Sequence, residues 1–315
     1  MPKNEVLRIR LGDLARTRRG TADAAKSDAV KLDVAKSDIV PGRRARDEKL
    51  AGTPLRGPTV LFAPAPVTSK ASQSSDVGIE ACLPGGEWRG SRGAVYVHER
   101  LRSEIERRRT HWGRLPEPHA DLPELEIVSA CGLARTLFLD LETGGLSSSP
   151  VFLAGTMHWN GEDFVLRQYF ARHYGEEAAL LEALAEAARG FEALVTFNGK
   201  SYDVPFLKSR AALHGVALAM PGAHLDLLHL ARRRWKHELR DCRLQTLEWH
   251  VCGRRRSGDV AGDEVPGLYH DYVRRGDPYR LIPVFHHNLL DVITMAEILR
   301  ALGATGPRAA RGLPR

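Results

Sequence analysis

Long apolar runs are missing from this sequence. No stretch of its 315 residues approaches the roughly 20 apolar positions that a membrane-spanning helix needs, so no transmembrane segment is expected. The first ten residues, MPKNEVLRIR, hold no apolar leader core, so no secretory signal is expected either. Cysteine is scarce: Cys82, Cys131, Cys242 and Cys252 are dispersed and form no CxxC pair. That excludes a disulfide framework and points to reduced thiols in a cytoplasmic protein. Cys242, His250 and Cys252 lack an evident fourth ligand for zinc. Tryptophan is absent before Trp88, so the N-terminal quarter has little with which to build a core.

Basic residues are plentiful. The net charge is +7 with a pI near 9.4. Residues 1–50 hold 13 Lys/Arg against 8 Asp/Glu, which is +5 and leaves +2 for the rest. A basic arm ahead of a near-neutral body suits a polyanionic partner. Residues 1–78, rich in Ala, Arg, Lys, Asp, Ser and Pro, read as a disordered arm ending in the linker FAPAPVTSKASQSSD (62–76). Two copies of a similar heptad, AAKSDAV and VAKSDIV, are too few for a solenoid.

Residues 79–130 read as a lead-in that packs on the main domain, with AVYVHERL as a strand or hairpin. A compact α/β domain follows over 131–303, and 304–315 is a Gly/Pro/Arg tail. RTLFLDLE (135–142) reads as a buried strand. PVFLAGTMHW and EDFVLRQYF flank Asn160-Gly161, a hairpin turn signal. EEAALLEALAEAARG is a helix stopped by Gly190, ALVTFN a strand, and DVPFLKSRAALHG a helix with Pro205 in its first turn. HLDLLHLARRRWKH, RLQTLEWHV, VPGLYHDYVRRG and VFHHNLLDVITMAEILRAL read as further helices.

Four acids stand out within this pattern. Asp140 and Glu142 form a D-x-E pair on a strand, and a period of two points both to one face. Alone they are as readily two solvated acids at a strand end. Asp203 stands at a helix start, where a carboxylate also serves as a cap. Asp291 follows His287 by one helical turn, so the two share a face. His286 reaches the same place only if the helix begins after it. Four carboxylates brought together repel one another unless cations sit among them, and hard oxygen donors suit Mg²⁺ or Mn²⁺. Thr143 and Gly144 let the backbone turn close past a substrate. Asn198 can bond substrate or fix its turn, Lys200 can approach a phosphate, and Tyr202 can stack on a base. The basic runs 231–243 and GRRRSG (253–258) offer phosphate contacts or solvated faces.

Together DLET, NGKSYDVPFL and HHNLLD resemble the three exonuclease motifs of the DEDD (DnaQ-like) superfamily. More narrowly, they are similar to its YprB-like branch of ribonuclease-H-like domain proteins. FLAG with RQYF, HLDLLHLARR, RLQTLE and PVFHHN resemble that branch's connecting segments over roughly 131–302. Thr143-Gly144-Gly145 stands where the branch has Thr-Thr-Gly. The resemblance implies an α/β fold with a ribonuclease-H-like mixed five-stranded sheet flanked by helices. It implies two Mg²⁺ or Mn²⁺ ions on Asp140, Glu142, Asp203 and Asp291, and 3′–5′ exonuclease action on DNA or RNA. Its general base is His287, with His286 as the alternative. A chain that kept the fold and binds nucleic acid without turnover is the other reading.

Overall fold

The run TLFLDLET is apolar on both faces at its start, and that places it in the middle of a sheet. In the computed structural model, which describes residues 78–105, 122–146, 148–256 and 259–303, this strand is β3 (Thr136–Thr143). The arm expected over 1–78 (all but Gly78) and the tail expected over 304–315 lie outside the described residues. The other strands are β1 (Gly85–Gly90), β2 (Gly93–Leu101), β4 (Val151–Trp159), β5 (Phe164–Phe170), β6 (Ala193–Thr196) and β7 (Ala223–Asp226). The helices are α1 (Ile79–Cys82), α2 (Arg102–Ile105), α3 (Glu126–Cys131), α4 (Glu177–Ala188), α5 (Asp203–His214), α6 (Leu227–Trp235), α7 (Leu244–Leu247), α8 (Val265–Arg275) and α9 (Ile282–Leu302). A wider π-type turn, Glu248–Cys252, continues α7.

The strand order is β1-β2-β5-β4-β3-β6-β7. β3 pairs antiparallel with β4, and β4 with β5, while β6 and β7 join the other side in parallel. The five strands β5-β4-β3-β6-β7 are the mixed ribonuclease-H-like sheet. The β1–β2 hairpin continues it past β5, so the sheet has seven strands rather than the expected five. An amphipathic strand beside an open edge gains a full ladder by joining it. The β4–β5 turn forms at Asn160-Gly161, where Asn160 Oδ1 accepts the N–H groups of Glu162 and Asp163, and Gly161 has φ +107°.

Alternation along β3 sorts the helices into two layers. Leu137, Leu139 and Leu141 pack toward α4 and α5, with Leu180, Leu184 and Leu207. Phe138 packs on the opposite face, with Leu230 of α6 and Leu289, Val292 and Ile293 of α9. Asp140 and Glu142 continue the Phe138 face, beneath α9. One expected helix is partly a strand: HLDLLHLARRRWKH begins as β7, because Ala223–Asp226 completes the edge left by Ala193–Thr196. Asp226 then ends the strand and caps α6 by accepting the Leu228 N–H at 3.1 Å. Among the described residues, no helix is long and apolar enough to cross a membrane.

Candidate active site

Asp140 is fixed by contacts that cross the sheet. In register it faces Gly155 of β4, which in turn faces Gln168 of β5. Over this row lies Asn288 of α9, fully buried. Its Nδ2 donates to Asp140 Oδ2 at 2.8 Å, and its Oδ1 accepts from Gln168 Nε2 at 2.9 Å. Gln168 also donates to the Phe285 carbonyl at 2.8 Å. The helix comes this close only because Gly155 has no side chain: a Cβ there would stand 2.0 Å from Asn288 Oδ1.

Asp203 opens α5 and is 6 % exposed. It is placed by a tight turn in which Asn198 adopts φ +66°. The carboxylate of Asp226 holds that turn, accepting the N–H groups of Asn198 at 2.8 Å and Lys200 at 3.0 Å. Gly199 admits the close approach, since a Cβ would fall 2.5 Å from the Thr196 side chain.

Asp291 and His287 lie one turn apart on α9, with His287 Nε2 3.4 Å from Asp291 Oδ2. The other ring nitrogen, Nδ1, is 2.8 Å from Asp259 Oδ1. Arg256 Nη2 donates to Asp291 Oδ1, Nε to Glu248, and Nη1 to Asp259 at 3.2 Å. Glu142, His287 and Asp291 each offer a donor atom, all within 4.8 Å of one another. His286 is exposed. Helix α9 already begins at Ile282, so the condition for His286 to share this place is not met.

Burial is the largest influence on all four acids, raising each pKa. Asp140 is pushed well above the usual carboxylate range by burial and by Asp291, Glu142 and Asp203. Glu142 is raised by burial with Asp291, Asp203 and Asp259, against Arg256. Asp203 is pushed up to about 7, and Asp226 and Asp291 add to its burial. Asp291 is raised by burial, while Arg256 and His287 oppose the rise. Asp291 acts on Asp140, Glu142 and Asp203, and Asp203 acts on Asp140 and Glu142, so β3, α5 and α9 bring these charges near one another. Oxygen donors of this number, beside one arginine, are a donor set that fits hard divalent cations.

The neighbouring residues are arranged as follows. Thr143 is buried; its Oγ1 donates to the Gly145 carbonyl at 2.9 Å and lies 3.3 Å from the Tyr202 hydroxyl. The Gly144 carbonyl accepts from His270 Nε2 of α8 at 2.7 Å. Tyr202 is 41 % exposed and stacks on Phe206. Asn198 and Lys200 are exposed. The GRRRSG run does not face solvent as a block: Arg254 turns inward to Glu248 and Glu297, as Arg256 does to Glu248 and Asp291. Sequence reasoning missed Gly155, Gln168, Asn288, Glu248, Arg256 and Asp259 as parts of the site. The first three stood inside FLAG, RQYF and HHN, where the nearness of Asn288 to His287 was the one available signal.

Comparisons with known proteins bear on the same segment. A family model described as the RNase_H superfamily matches residues 137–303, from β3 to the end of α9, and so spans every carboxylate of the cluster. The chain is 32 % identical over 203 residues to the uncharacterized protein YprB of Bacillus subtilis (strain 168), covering 62 % of this chain and 47 % of that one. It therefore spans about half the length of that relative. Among solved structures it is similar to a family B DNA polymerase from the hyperthermophilic archaeon Pyrobaculum calidifontis. That likeness covers 54 % of this chain and 27 % of the polymerase, with TM-score 0.42 and 16 % identity, and is too loose to carry an argument.

Proposed function

The chain belongs to the RNase H superfamily and is YprB-like, and on that premise we propose that it is a metal-dependent nuclease. In this reading it is a 3′–5′ exonuclease that hydrolyses phosphodiester bonds of DNA or RNA. One observation supports the reading: acids from three separate elements meet around Asp140, whose pKa is raised by Asp291, Glu142 and Asp203 beyond the effect of burial. A fold that gathers four like charges, half-buried or buried, has a use for bound cations.

Asp140, Glu142, Asp203 and Asp291 would hold two Mg²⁺ or Mn²⁺ ions, which when bound supply Lewis-acid activation and neutralise the phosphate's charge. The protein's own residues do the rest. With its Nδ1–H given to Asp259, His287 keeps the Nε2 lone pair toward Glu142 and Asp291, where it accepts the proton of the attacking water. Asn288 holds Asp140 in one orientation. Arg256 does the same for Asp291. Thr143, Gly144, Asn198, Lys200 and Tyr202 border the acids and contact the nucleic-acid strand.

The test is degradation of end-labelled DNA and RNA oligonucleotides, each blocked at the 3′ or 5′ end, with Mg²⁺ or Mn²⁺. Metal-dependent shortening from an unblocked 3′ end is expected, and Asp140→Ala should abolish it. His287→Ala should lower the rate by roughly 10²- to 10⁴-fold, and His286→Ala should change it little. Binding without any metal-dependent cleavage would leave a nucleic-acid-binding module in place of the enzyme.

A further inference from the structure

The turn that carries Glu248 to Arg254 and Arg256 presents Trp249 to the outside. Trp249 is 52 % exposed and is alone among the described tryptophans in being so, whereas Trp235 is 7 % exposed in the core. Its ring lies nearly parallel to that of His250, at 10° with centroids 5.7 Å apart. The guanidinium of Arg255 stands 4.9 Å above the Trp249 ring. Residues 254–256 alternate: Arg254 and Arg256 turn inward to buried acids, while Arg255 turns outward onto the tryptophan. No carboxylate among the described residues pairs with Arg255, while its two neighbours take Glu248 and Asp259.

This surface is joined to the catalytic cluster. Gln245, one helical turn before Trp249, donates from Nε2 to Asp259 at 3.1 Å, and Asp259 holds His287. Trp249 therefore stands about 6 Å along the helical run from a group two hydrogen bonds from His287. Exposed aromatic rings with a cationic neighbour are what single-stranded nucleic acid needs: a face for a base and a charge for a phosphate.

We propose that Trp249, His250 and Arg255 form a base-stacking platform for the single strand running to or from the cleaved linkage. This rests on the nuclease reading for its substrate class. The platform takes any base, because stacking uses a ring face and reads no hydrogen-bonding edge.

The test uses the full chain with Asp140→Asn to stop turnover, and fluorescence anisotropy with a labelled oligonucleotide of about 12 nucleotides. A second oligonucleotide of equal length carries abasic sites in place of bases. The Asp140→Asn chain should prefer the base-bearing strand. Adding Trp249→Ala should weaken that binding by about 5- to 100-fold and erase the preference, while Trp249→Phe keeps most of both. Arg255→Ala should weaken both strands and steepen no preference. Equal binding with and without Trp249, or equal weakening of both strands by Trp249→Ala, overturns the platform. Trp249-independent binding with metal-dependent cleavage by the unmodified chain removes the platform and spares the nuclease. Trp249-dependent base preference without cleavage spares the platform and removes the nuclease.

Discussion

Glu177, buried, and Asp140, half-buried, are both acids at the central strands, and they are treated in opposite ways. Glu177, 1 % exposed at the start of α4, accepts the Val151 N–H, the Arg210 guanidinium and His214 Nε2. Burial pushes its pKa up, but hydrogen bonds from Arg210, Val151 and His214 outweigh burial and hold it below the usual range. Asp140 has one neutral donor, Asn288, and three acidic neighbours, so its pKa goes up. In one place the chain supplies a fixed cation and the acid ties α4 to α5. In the other, among the described residues, no cation pairs with the acid, and its neighbours oppose its charge. Asp291 stands between the two cases, with Arg256 on one oxygen and His287 on the other.

The comparison breaks most visibly under mutation. Glu177→Gln leaves Arg210 buried without its partner and should destabilise the fold by about 3–5 kcal/mol in urea titrations. Asp140→Asn should leave stability unchanged or higher, because it removes one of the repelling charges. Equal losses from both would mean that the cluster is structural, as the Glu177 node is.

Gly155→Ala comes next in size. The new methyl must displace Asn288, which should cost about 1–3 kcal/mol and release Asp140 from its hydrogen bond. Adding Asn288→Ala should recover stability without recovering cleavage. Full activity in Gly155→Ala would show that the Asn288 tie does not position Asp140.

The smallest effect is the dependence on pH. Asp203 titrates at about 7 in the folded chain, against about 3.9 when unfolded. Between those values the folded state binds more protons, so stability falls as pH rises through that window. In a chelator the thermal midpoint should be higher at pH 5.5 than at pH 8, and Asp203→Asn should reduce the difference, leaving the part that Asp140 and Glu142 contribute in the same sense. Glu177, with its lowered pKa, contributes in the opposite sense: its stabilisation is present above the unfolded value and fades as pH falls. A midpoint that rises steadily from pH 5.5 to 8 would mean that histidines held neutral by burial, such as His158, dominate instead.

Much of the fold is readable from local pattern. β3, β4, β5 and β6 follow from apolar runs and the Asn-Gly turn, and α4, α5 and α9 from helical periodicity with their caps. β7 is not, because AHLD is four residues long and runs straight into an amphipathic helix whose periodicity hides it. It is a strand because the β6 edge is there to pair with, which no local window contains. The site divides similarly. Each acid sits in a motif whose spacing indicates a face or a helix start. Arg256 and Asp259 belong to a segment whose pattern reads only as basic and polar, and their partners lie about 30 residues away in α9.

The sequence by itself determined which residue types were available for chemistry and on which face of a strand or turn of a helix each would stand, because periods of two and of 3.6 are local properties of the backbone. Only the tertiary structure decided which acids would be neutralised and which left to repel. That choice depends on distances across the sheet: Arg210 reaching Glu177, Gly155 admitting Asn288 to Asp140, and three other carboxylates near enough to resist ionisation of Asp140.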